Sequence, residues 1–112
     1  MPEMSLYIVR MDHPDGPEWN TFVREHVLYL KELIKQGKLI ASGPLKNTPL
    51  RAGFLLFSAN SLDEVTTMVN EDPFARENLI AQLDIQEWDP LFGQLTTLSS
   101  RKTAHELQDL ID

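Results

Sequence analysis

The sequence contains no cysteine, which excludes disulfides, thiolate nucleophiles and cysteine-ligated metals. It has no apolar run approaching the about 20 residues that a membrane-crossing helix needs, so no membrane partner is expected. The glycine pattern of a phosphate-cradling loop or a dinucleotide fold is absent too, and nucleotide cofactors are not expected. Positive charge is scarce: ten Lys and Arg stand against 17 Asp and Glu, for a net charge of −7. A nucleic-acid partner needs a basic face, so none is expected. Arg10, Arg24, Lys46 and Arg51 read as solvated surface charge. The N-terminus shows no basic-then-apolar segment, and with the missing cysteine this sets the expectation of a cytoplasmic protein. There is no repeat, low-complexity stretch or linker.

What is present is one domain's worth of chain. With 112 residues, 42% of them hydrophobic, it can bury a real but small core, and a domain this size often gains burial by pairing with its own copy. Ser5 to Met11 (SLYIVRM) is rich in strand formers. Asp12 to Pro17 is a loop by its turn residues. Glu18 to Gln36 is an amphipathic helix opened by Pro17 and stopped by Gly37, with Phe22, Val23, His26, Val27, Leu30, Leu33 and Ile34 forming its apolar stripe. Leu39 to Leu45 is a short second strand whose Ser42-Gly43-Pro44 end must be an edge, a bulge or a bend. Ala52 to Ser58 is apolar enough to be a central strand. Ser61 and Glu64 form a capping box for a second helix, which Asp72-Pro73 ends or kinks. Gln82 to Trp88 alternates as a fourth, partly exposed strand.

The order β-α-β-β-α-β predicts an α+β, ferredoxin-like fold with two helices on one face of a four-stranded antiparallel sheet. The other face needs a cover, and a second copy is the simplest one. Residues 1–93 would form this domain. Residues 94–112 would be an extension ending in a short helix, with Ala104, Leu107, Leu110 and Ile111 at helical spacing, which must dock on something.

His26 is the most informative residue. It lies one turn from Phe22 and one turn from Leu30 on the inward face of the first helix, where an imidazole needs a hydrogen-bond partner. A carboxylate partner would make it a candidate general base. Asp72 stands before a proline, where the backbone leaves the helix and the side chain can be aimed. Asp12, His13 and Asp15 carry metal-binding chemistry, but Pro14 and Gly16 explain that loop as turn formation, and no metal is expected. His105 should face solvent.

The chain resembles the YCII-related family, within the dimeric α/β-barrel superfamily. The resemblance is carried by Arg24-Glu25-His26-Val27-Leu28-Tyr29-Leu30, Gly37-Lys38-Leu39, Ala41-Ser42-Gly43-Pro44-Leu45, Asp72-Pro73-Phe74 and Trp88, in register from Ser5 to Phe92. It implies a sheet-to-sheet homodimer and a small cleft between helices and sheet. It also implies a catalytic His–Asp pair, which falls on His26 and Asp72, with Ser42 lining the same cleft. Characterised members and superfamily neighbours act on small, often aromatic or lactone-like compounds by dehydrohalogenation, isomerisation or monooxygenation, usually without a bound cofactor.

Such a dyad suits proton abstraction from a small cyclic compound, with elimination or isomerisation following. Ser42 and the Gly43 amide would contact a substrate oxygen. Trp19, Phe22 and Trp88 would supply an aromatic wall for a planar ligand, although core or dimer packing explains them as readily. The alternative is a non-catalytic ligand-binding or structural dimer module built on the same cleft.

Overall fold

A computed structural model describes residues 4–102 and 104–110. Four strands and three helices follow in the order β1 (Ser5–Asp12), α1 (Glu18–Lys35), β2 (Leu39–Leu45), β3 (Ala52–Ala59), α2 (Leu62–Asn70), α3 (Pro73–Arg76) and β4 (Gln82–Trp88). The sheet is antiparallel in the order β2-β3-β1-β4. This is the expected ferredoxin-like α+β architecture, with the two most apolar strands at the centre. No helix among the described residues is long and apolar enough to cross a membrane.

Strand alternation sorts the residues between two faces. Tyr7, Val9 and Met11 of β1 align with Phe57, Leu55 and Gly53 of β3. They pack with Leu30 and Leu33 of α1 and Val65, Met68 and Val69 of α2 into one core. The opposite face carries Leu6, Ile8, Phe54, Leu56 and Trp88, by the same register. Leu6 and Leu56 are buried there, whereas Phe54 and Trp88 are exposed, so that face is open in part.

Local chemistry sets the boundaries. Helix α1 stops at Gly37, whose φ of +75° suits a residue without Cβ. Its N–H donates to the Ile34 carbonyl, and that of Lys38 to Leu33, closing the helix end. The Ser61 hydroxyl accepts from the Glu64 N–H at 3.1 Å, and the Glu64 carboxylate accepts from the Asn60 N–H at 3.0 Å. The cap is real, with its return bond one residue before the usual position.

Strand β2 is an edge strand, one of the alternatives that Pro44 left open. Its irregularity lies earlier than the Ser42-Gly43-Pro44 segment: Leu39 faces Phe57 while Ala41 faces Leu56, a two-against-one step. The extra residue reverses the strand's phase. Leu39 points into the core, and beyond the step Ser42 and Pro44, opposite Leu55 and Gly53, take over that side of the sheet.

The first-helix stripe needs correcting. Only Leu30 and Leu33 are buried, whereas Val27 and Ile34 are exposed. The stripe serves two surfaces, one against the core and one lining an open cleft. The tail differs as well. His105–Leu110 forms tight 3₁₀ turns, and all six residues, His105 included, are exposed. Ile111, assigned to the tail stripe, lies outside the described residues.

Tyr29 joins α1 to α2 by donating its hydroxyl to the Met68 carbonyl at 2.5 Å. Burial first, then Glu71 and Asp72, pushes its phenol from 10.0 up to about 12. The folded chain therefore keeps this proton where the unfolded chain releases it, so the contribution is complete below pH 10.0 and is lost as pH rises toward 12. Tyr29→Phe is expected to cost about 1 kcal/mol at neutral pH and to flatten this alkaline loss. Urea midpoints for both proteins across that range check it, and an unchanged alkaline slope would refute the assignment.

Candidate active site

A cavity of about 540 Å³ opens between α1, the ends of β2 and β3, and α3. This is the size range of small-ligand sites. Helix α1 lends it Trp19, Val23, His26 and Val27, while Ser42 and Gly43 come from β2. The phase reversal in β2 is what turns Ser42 toward this side.

Asp72 anchors the floor. It is 1% exposed and caps α3: its Oδ1 accepts the Phe74 N–H at 2.9 Å, with Pro73 filling the first helical position. Pro73 holds Asp72 in an extended conformation (φ −63°, ψ 135°), and the carboxylate turns toward α1. Nδ1 of His26 lies 2.9 and 2.8 Å from its two oxygens. A carboxylate only accepts, so Nδ1 carries a hydrogen, and in the neutral ring Nε2 holds the lone pair. The His26 ring stacks on Phe74 at 4.3 Å between centroids.

Two further cavity residues went unrecognised in the sequence. His13 is 4% exposed and is part of the wall rather than a turn residue alone. Its Nδ1 donates to the Leu79 carbonyl at 2.7 Å, and its ring meets Phe74 at 4.6 Å. Burial pushes its imidazole below 6.5, and the neighbouring His26 and Arg51 push the same way, against the Leu79 bond and Asp72. Arg51 reaches over the Trp19 ring at 3.9 Å, a cation–π contact at the cavity rim. Nothing in the local sequence marks either residue. Their roles come from Leu79 and Trp19, which are distant in the chain.

The aromatic wall is partly as expected. Trp19 lines the cavity and stacks on Phe74 at 6.0 Å. Phe22 does not line it: the α1 residues in the wall spiral away from it, and Phe22 falls on the other flank of His26. Trp88 is on the opposite sheet face, aligned with Leu6. Phe74 supplies the second ring instead. Among the described residues no group of three or more His, Asp or Glu is placed to hold a metal.

A model of the YCII-related domain matches residues 4–89, and the chain belongs to that family. Among solved structures, it is similar to a 5-chloro-2-hydroxyhydroquinone dehydrochlorinase from Burkholderia phenoliruptrix AC1100, in complex with 2,5-dihydroxybenzoquinone. The two are 25% identical, covering 75% of this chain and 93% of that one, with a TM-score of 0.66. A NIPSNAP family protein from Agrobacterium tumefaciens strain C58 shares the fold at 18% identity, covering 77% and 91% of the two chains, with a TM-score of 0.51. A protein from Shewanella oneidensis does so at 5% identity, covering 79% and 91%, with a TM-score of 0.51. No curated protein matches the chain.

His13 also ties the cavity to stability. Its lowered pKa means that the unfolded chain takes up this proton more readily than the folded one, so its contribution is complete above 6.5 and is lost as pH falls from there through the lower folded value. His13→Asn can keep a donor for Leu79 but has no group to titrate. The variant is expected to show a shallower fall in melting temperature from neutral pH to about pH 5. Parallel curves for the two proteins would contradict this.

Proposed function

We propose that the chain is a small-molecule enzyme that abstracts a proton from a small cyclic organic compound, with elimination or isomerisation following. The observation that carries this reading is the double contact of buried Asp72 with His26 Nδ1 beside an open, largely apolar cavity. Asp72 fixes the tautomer and would stabilise the imidazolium formed when Nε2 takes a proton. In an elimination, the ring reacts as its keto tautomer, in which the chlorine-bearing carbon is saturated and carries a hydrogen; the electron pair of a broken C–H or O–H bond forms the new double bond, chloride leaves with the C–Cl pair, and His26 Nε2 takes the proton. Ser42 and Gly43 would contact a substrate oxygen, with Trp19 against the ring. Likeness to a dehydrochlorinase that binds a dihydroxyquinone supports a chlorinated, hydroxylated ring as the first substrate class to test.

The test is chloride release from chlorinated hydroxyhydroquinones, followed with product analysis. His26→Ala is expected to lower kcat by about 10²-fold or more. Full turnover by this variant would end the general-base reading. Asp72→Asn keeps an oxygen for the Phe74 N–H and removes the orienting charge, so kcat should fall by about 10²-fold or more while the fold persists by circular dichroism. An unaltered pH–rate profile in Asp72→Asn would remove Asp72 from the mechanism.

A homodimer belongs to the same reading. The open sheet face with Ile8, Phe54 and Trp88 suits a second sheet. Residues 1–93 would form the domain, and residues 94–112 would brace the assembly. Removing residues 94–112 is expected to lower oligomer stability, read by sedimentation and melting temperature. Unchanged mass and melting temperature would defeat that role for the tail.

A further inference from the structure

Resting on the reading of this cavity as the ligand site, we propose that His13 and Arg51 select the ligand as a planar ring in monoanionic form, Arg51 taking one ionised oxygen substituent and Nε2 of His13 accepting from one neutral hydroxyl.

The chain carries 17 carboxylates against ten cations, yet the cavity wall holds Lys31, Arg51 and two histidines and no Asp or Glu. Asp72 sits beneath His26, occupied by it and by the Phe74 N–H. Arg51 is in no ion pair among the described residues, and Trp19 supports its guanidinium from below. An arginine that rests over a ring and is in no ion pair has N–H groups to offer an oxyanion.

The Leu79 carbonyl can only accept, so Nδ1 of His13 carries the hydrogen and Nε2 presents a lone pair. Nε2 has no hydrogen-bond partner among the described residues, and no side-chain polar atom there is both sealed and unpartnered. Its access therefore runs to the cavity that His13 lines. Burial disfavours protonation of the ring, which favours the form in which Nε2 accepts. A ligand atom meeting it must carry a hydrogen, because an oxyanion there would face an unprotonated lone pair.

Trp19 and His26 both lie nearly parallel to Phe74, at interplanar angles of 25° and 23°. These near-parallel rings favour a flat ligand. A fully neutral ring would leave Arg51 unused, and a dianion would present charge to His13. The monoanion satisfies both.

Binding of simple probes to the full chain, measured by titration calorimetry, tests this without turnover. The probes are benzoate, the 2-, 3- and 4-hydroxybenzoates, and the corresponding hydroxybenzamides. One hydroxybenzoate is expected to bind about tenfold tighter than benzoate, for its hydroxyl, and about tenfold tighter than its own amide, for its charge. His13→Asn should erase the first advantage and keep the second. Arg51→Gln, a change at an exposed side chain, should do the reverse. Absence of either advantage in the unmodified protein, absence of all binding at millimolar concentration, or persistence of both advantages in both variants would overturn the proposal. Failure of the general-base reading would show instead as turnover by His26→Ala, with these affinities unchanged.

Discussion

The arrangement depends on one buried carboxylate. Asp72 is almost fully removed from water, and an unpartnered charge in that position would cost several kcal/mol. Its two partners come from different parts of the fold: the Phe74 N–H begins α3, and His26 belongs to α1. Satisfying Asp72 therefore fixes α1 against the α2–α3 segment. The Phe74 ring then lies where His13, Trp19 and His26 all meet it. One oxygen, Oδ1, both caps a helix and contacts the histidine, so structural and chemical roles are not separable at this residue.

Local signals made much of this legible. Period-two and helical spacings gave all four strands and the two longer helices, because those patterns reflect burial of one face. His26 stood out as a polar residue on an apolar stripe, and Asp72 as an acid before proline. His13 was hidden by its own neighbourhood: Asp12, Pro14, Asp15 and Gly16 account for a turn, while its burial depends on a carbonyl 66 positions away. Arg51 looked like any surface cation because its meaning lies in contact with Trp19.

Seven positions of α1 looked like one buried stripe, and the width was the clue. A core seam of Leu30 and Leu33 does not need Val27 and Ile34 as well. The surplus apolar residues line a cavity. An amphipathic stripe broader than its packing partner can mark a ligand wall as well as a core. Phe22 was misplaced because a single broad stripe does not say which flank faces which surface.

The two-against-one step at the start of β2 makes the site depend on a parity. Whether Ser42 or Ala41 looks toward His26 is decided by an odd or even count of residues between Leu39 and the strand end. The loop joining β2 to β3 can change length without disturbing that count. A single insertion or deletion inside β2 would exchange the two faces of the remaining strand. For evolution the strand behaves as a binary digit: point substitutions adjust what the cavity reads, and length changes within β2 switch which residues do the reading.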